Sequence, residues 1–110
     1  RDKLPAEPLV SVIIPTFNRR ELVVRAIESV LAQTYRHYEI VVMDDGSTDG
    51  TAEAIARLAG PIRYFQQPNR GLAAARNGAI RRSQGPLLAL LDSDDAWTND
   101  KLARCVAYLQ

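Results

Sequence analysis

Three carboxylates fall within four positions, at Asp92, Asp94 and Asp95, directly after the run Leu87-Leu88-Ala89-Leu90-Leu91. Like charges this close repel, and an acidic cluster at the mouth of a core strand costs stability unless a cation compensates. Asp92 and Asp94 stand two apart at the strand's end, where both can turn toward one ion. Hard oxygen ligands suit Mg²⁺ or Mn²⁺, held by one or two carboxylates together with substrate phosphates. The competing reading is a turn with an acid at a helix N-cap, and Asp95 fits that role.

Two further stretches carry chemistry. In Asp44-Asp45-Gly46-Ser47-Thr48-Asp49-Gly50 a calcium-loop pattern begins well but fails at its twelfth position, where Ala56 replaces the bidentate Glu. Asp45 can accept a hydrogen bond from a base N–H, or serve a structural turn; Thr48 or Asp49 can cap the next helix. Asn69 and Gly71 lie at the start of a helical pattern, where anions are favoured. Ala73, Ala74 and Ala75 permit close approach of backbone or ligand. Arg76 follows among small residues, whereas Arg81 and Arg82 read as surface positions. Phe17 offers a ring face for stacking or for packing.

Other chemistries lack their residues. No G-x-G-x-x-G follows the first strand, and no G-x-x-x-x-G-K-[ST] occurs. The single His37 lies in a polar stretch and reads as a surface residue. Cys105 excludes an internal disulfide and has no base partner that spacing identifies. It shares a helical pattern with Leu102, Val106 and Leu109, which predicts a buried small hydrophobe.

These residues need elements to position them. Leu9 to Ile14 reads as a strand ended by Pro15. Asn18 and Glu21 have capping-box spacing ahead of a helix, whose stripe Leu22, Val23, Ala26, Ile27, Val30 and Leu31 runs to about Gln33. Tyr38 to Met43 is a second strand. A helix near Thr51 to Ala59 is stopped by Gly60-Pro61. Ile62 to Gln66 is a weaker strand, Gly71 to Ser83 a helix, and Leu87 to Leu91 a fourth strand. Thr98 or Asn99 is placed to cap a last helix reaching Gln110.

The pattern is β-α-β-α-β-α-β-α. Continuous apolar strands predict a parallel sheet with helices on both faces and right-handed crossovers. In the order 3-2-1-4 the three distinctive loops meet at the carboxyl edge, where open sheets of this class bind ligands. Arg1 to Pro8 reads as a leader or linker, and residues 9–110 as one domain. The pattern ends inside an apolar helix, which reads as the front part of a larger protein.

Composition agrees. The chain has 110 residues, 46% hydrophobic and 25% charged, with a formal net charge of +1. That is globular composition, and it gives no indication of a nucleic-acid or anionic-membrane partner. No apolar run approaches the roughly 20 residues of a membrane span.

Val10-Ser11-Val12-Ile13-Ile14-Pro15-Thr16-Phe17-Asn18-Arg19, Val41 to Thr51, Asn69 to Ile80 and Leu90-Leu91-Asp92-Ser93-Asp94-Asp95-Ala96-Trp97, in that order, resemble the front half of family 2 glycosyltransferases with the GT-A fold. The resemblance implies a metal-dependent, inverting transfer of sugar from a nucleotide-sugar donor, typically a UDP-sugar. Pro15, Thr16 and Phe17 would line the nucleobase pocket, with Phe17 against the ring; many relatives have tyrosine there. Asp45 would accept the uracil N3–H, and Asn69 and Arg76 would contact the nucleotide. Asp92-Ser93-Asp94 matches the family's D-x-D motif, with Asp94 the direct ligand of Mn²⁺ or Mg²⁺ and Asp92 holding ribose or the metal shell. The catalytic base is expected beyond Gln110, so the chain would bind donor and metal without transferring sugar. A saccharide or lipid-linked acceptor would bind the part not present here. The expected location is the cytoplasm, with membrane association left to a longer parent.

Three other functions compete. A phospho-acceptor receiver expects its acidic pair after the first strand and a lysine beside the phosphoryl group, but none lies between Lys3 and Lys101. A haloacid-dehalogenase-like phosphatase expects Thr or Val at Ala96. A non-catalytic nucleotide-sugar-binding or interaction module is compatible with the residues present.

Overall fold

The computed structural model describes residues 7–109. Most of the expected leader, and the reach of the last helix to Gln110, lie outside them. The elements follow the predicted alternation: β1 (Val10–Thr16), α1 (Arg20–Leu31), β2 (Tyr38–Asp44), α2 (Thr51–Ala56), β3 (Ile62–Gln66), α3 (Leu72–Arg82), β4 (Leu87–Leu90) and α4 (Lys101–Leu109). The four strands form one parallel sheet in the order β3-β2-β1-β4. This is the expected order, and it differs from the 2-1-3-4-5 winding of a receiver-type fold.

Helices cover both faces unequally. On one face Val12, Ile14, Ile40 and Val42 pack with Val23, Ile27 and Val30 of α1, Ile55 of α2, and Leu102 and Val106 of α4. On the other, Ile13, Val41 and Met43 meet α3 through Ala75 and Ala79. Small residues let α3 lie close to the sheet; a Cβ on Gly78 would come within 3.1 Å of Met43 Cε.

β1 continues through Pro15 to Thr16, two residues past the expected end. The backbone pairing explains this. Val10 N–H donates to His37 O on the β2 side, and Thr16 O accepts Asp45 N–H there, while Ile13 O accepts Leu91 N–H on the β4 side. This alternation turns Pro15 toward β4, whose last pair is Ile13↔Leu90. The missing proline N–H therefore removes no sheet bond.

Three other expectations are corrected. β4 is not buried on both faces: Leu88 and Leu90 are 46% and 55% exposed, because α3 packs across β1 and β2 and leaves that side of β4 bare. Cys105 is exposed rather than buried. α4 seats on the sheet through Leu102 and Val106, and Cys105 lines the open groove beside β4 with Tyr108. The capping box at α1 does not form, and Arg19 occupies the N-cap position with no side-chain cap. Asn18 is in the left-handed region (φ 50°), and its side chain faces the second loop.

Several boundaries are tighter than expected. α2 stops at Ala56, and α4 starts at Lys101 rather than directly after Thr98 or Asn99. The bend before α4 is held by Gln33, nearly fully buried. Its amide donates to Ser29 O and Thr98 O, and its carbonyl accepts Leu102 N–H.

Candidate functional site at the carboxyl edge

Strand register decides what meets at the carboxyl edge. Thr16, Asp44 and Gln66 end their strands side by side, whereas β4 stops opposite Ile13. Ile14, Pro15 and Thr16 thus overshoot β4, and the segment from Leu91 onward turns in beside this step. Ser93 is buried and Asp95 N–H donates to Asp92 O, closing a turn that leaves the three carboxylates exposed. Asp92, Asp94 and Asp95 each offer an oxygen, and these atoms all lie within 4.8 Å of one another. Asp95 therefore joins the cluster. It caps no helix, since α4 begins only at Lys101. Clustered hard oxygens of this kind suit Mg²⁺ or Mn²⁺.

The first two loops are tied together. Asn18 N–H donates to Ser47 Oγ, Thr48 N–H donates to Asn18 Oδ1, and Arg20 N–H donates to Asp49 Oδ2. Asp49 therefore satisfies the start of α1 from another loop, while α2 starts from Gly50 in a left-handed conformation. Burial would raise the Asp49 carboxyl, but the Thr51 hydroxyl and the Arg20 N–H outweigh it and hold it below its ordinary value. Asp44 is also occupied, accepting from Ser47 N–H and the Tyr64 hydroxyl. Burial and the Asp44 carboxylate both push the Tyr64 phenol well above its ordinary value.

Asp45 organises the connection between β3 and α3. Its Oδ1 accepts Gln67 Nε2 at 2.8 Å and Arg70 N–H at 2.8 Å, and its Oδ2 accepts Gly71 N–H at 2.9 Å. Burial alone would raise this carboxyl; the Arg70, Gln67 and Gly71 donors prevail and keep it depressed. The side chain is 2% exposed. A carboxylate has about four lone-pair sites, so three donors leave room for one more. Gly46 takes a left-handed backbone conformation (φ 93°) that side chains with a Cβ rarely adopt.

Of the expected site residues, Pro15 and Thr16 are buried at the end of β1 and Phe17 is half-buried just beyond. The Thr16 hydroxyl is fully buried and has no hydrogen-bond partner among the described residues. Such an orphan is rare in native interiors. Asn69 lies against Gly46 in the Asp45 loop. Arg76 is exposed on α3, and no hydrogen bond or ion pair joins it to the other site residues among the described residues. His37, Arg81 and Arg82 are exposed, as expected.

The sequence reading missed Arg19, whose NH1 lies 3.2 Å from Asp94 Oδ2. It also missed Glu39, whose network sits at the opposite, amino edge. No spacing rule pairs residues that only the crossovers bring together.

A parallel α/β sheet whose acidic turn and buried carboxylate meet at one carboxyl edge has the layout of open sheets that bind ligands at that edge. The family model described as glycosyl transferase family 2 matches residues 11–110, and the chain belongs to that family. It is 40% identical over 108 residues to the putative teichuronic acid biosynthesis glycosyltransferase TuaG of Bacillus subtilis (strain 168), covering 94% of this chain and 42% of TuaG. An uncharacterized glycosyltransferase of Rickettsia felis is 50% identical over 95 residues, covering 84% of this chain and 16% of that protein. The chain thus spans less than half the length of these relatives.

Among solved structures, the mannosyltransferase PcManGT from Pyrobaculum calidifontis, in complex with GDP-Man and Mn²⁺, superposes with a TM-score of 0.84 at 35% identity, over 94% of this chain and 32% of that one. S. aureus TarS 1-349 in complex with UDP gives a TM-score of 0.83 at 28% identity, over 90% and 31%. These structures share the GT-A fold.

Proposed function

We propose that this chain is the donor-binding part of a metal-dependent, inverting glycosyltransferase that uses a UDP-sugar. The observation that carries the reading is the meeting of the acidic turn, the orphaned Thr16 hydroxyl and the Asp45 carboxylate at one edge of the sheet. Pro15, Thr16 and Phe17 line the base pocket, and the free lone pair of Asp45 accepts the uracil N3–H. Asn69 and Arg76 contact the nucleotide, Arg76 by a side-chain movement from its exposed position. Asp94 ligates Mn²⁺ or Mg²⁺, and Asp92 holds ribose or completes the metal shell. The UDP complex of TarS and the Mn²⁺ complex of PcManGT support the nucleotide and the ion by similarity.

The chemistry such an ion supplies when bound is neutralisation of the charge gained by the leaving diphosphate. The chain's own residues would bind and orient the donor and hold the ion against its diphosphate. Inversion also requires a base on the opposite face of the sugar. After Asp95 the only carboxylate is Asp100, which pairs with Arg104 and the Thr98 hydroxyl. We assign the base, and the saccharide or lipid-linked acceptor site, to residues outside this chain. Names of relatives such as TuaG favour a cell-envelope polysaccharide as product.

Calorimetry with UDP tests this. Binding should require Mn²⁺ or Mg²⁺ and weaken at least tenfold in Asp94→Ala, an estimate of about 1.4 kcal/mol or more for a lost charged ligand. Undiminished binding in the variant refutes the metal assignment. Sugar transfer by the chain alone refutes placement of the base elsewhere.

A further inference from the structure

The acidic turn has an internal partner. Arg19 NH1 lies 3.2 Å from Asp94 Oδ2, the two side chains being 38% and 53% exposed. The backbone that carries Arg19 is pinned on both sides by the second loop, through Asn18 to Ser47 and Thr48 and through Arg20 to Asp49. Arg19 O also accepts Val23 N–H, the first bond of α1. From this fixed point the guanidinium crosses to the acidic turn after β4. Of three clustered carboxylates it takes Asp94, the one assigned above as the direct metal ligand.

We propose that Arg19 is the resident counter-ion of the acidic turn and competes with the divalent cation for Asp94, so that metal uptake displaces an internal guanidinium. This rests on the metal-site reading above. Three carboxylates with oxygens within 4.8 Å repel unless a positive charge lies among them. An arginine supplies that charge at every accessible pH. A coordinated Mg²⁺ or Ca²⁺-sized ion needs its oxygens at about 2.0–2.6 Å. With the guanidinium still on the same oxygen, two positive centres would stand a few ångströms apart. The pair is half exposed, so water screens it and the competition is modest. The same exposure gives the displaced side chain solvent to move into.

Mn²⁺ alone, titrated into the full chain and followed by paramagnetic resonance of the free ion, tests the idea. Arg19→Gln and Arg19→Met should each bind Mn²⁺ about two- to fivefold more tightly than the parent, the range expected for an exposed ion pair. Arg19→Lys, which keeps the charge, should stay near the parent. Asp94→Asn should lose most binding, with or without Arg19. Unchanged or weaker Mn²⁺ binding in both neutral Arg19 variants, with the Asp94 effect intact, overturns the competition and leaves the metal site standing. Mn²⁺ binding indifferent to Asp94→Asn overturns the metal site itself. A purely structural Arg19 would lower the unfolding midpoint without moving Mn²⁺ affinity, which also overturns the proposal.

Discussion

Thr16 separates a binding role from a structural one at a single atom. A buried hydroxyl without a partner costs the folded chain, because water solvates it in the unfolded state. Thr16→Val keeps the β-branched shape and removes that cost. The expected result is unchanged stability or a gain of up to about 1 kcal/mol in urea unfolding, together with weaker UDP binding. Loss of stability would mean that the hydroxyl already has a partner. Asp45 differs, since its three donors make it a structural staple as well as a candidate base contact. Asp45→Asn should therefore lower both the unfolding midpoint and UDP affinity.

Among the elements, the start of α1 gives the clearest contrast between pattern and structure. Asn18 and Glu21 have the spacing of a capping box, but the cap comes from Asp49 across the loop, and Glu21 pairs with the exposed Arg20. Asp49→Ala should cost about 1 kcal/mol, the usual loss of a helix cap. Glu21→Ala should change stability by less than about 0.5 kcal/mol, as surface substitutions do. Equal effects in chemical unfolding would contradict this assignment. Element types were legible because apolar runs and helical stripes follow from local geometry and burial, whereas the strand order was reached only by asking which order brings the three distinctive loops to one edge. The acidic turn was legible because strand ends are fixed by those runs. What periodicity could not show was tertiary. β1 passes through Pro15 because β4 stops short, Cys105 is exposed because no described residue fills the groove beside β4, and Arg19 reaches Asp94 only through the folded loops.

At the scale of the molecule, the edge opposite the site is closed by one buried acid. Glu39 accepts the Ser11 hydroxyl and Gln84 N–H on Oε2, and pairs with Arg63 at 2.9 Å on Oε1. Ser11 in turn accepts Gly85 N–H, and a Cβ on Gly85 would stand 2.5 Å from Leu9 O. One carboxylate thus joins β1, β2, β3 and the α3–β4 connection. Burial would raise its pKa, but Ser11, Gln84 and Arg63 outweigh burial and depress it. A carboxyl depressed on folding stabilises fully above its unfolded value, about 4.3, and loses that contribution as pH falls through the lower folded value. The unfolding midpoint should therefore drop below about pH 4. Glu39→Gln should cost about 1–3 kcal/mol at pH 7 and flatten the acid limb. A variant as stable as the parent at neutral pH would refute the network's role.

The proposed donor site lies at the carboxyl edge of the sheet, opposite the Glu39 network. Amide correlation spectra of the full chain, titrated with Mn²⁺ in the presence of UDP, read that division directly. Paramagnetic broadening should centre on the amides around Thr16–Arg19, Asp45–Thr48 and Asp92–Asp95, and spare those around Ser83–Gly85. Broadening centred instead on Ser83–Gly85, or on the groove between β4 and α4, would contradict the account.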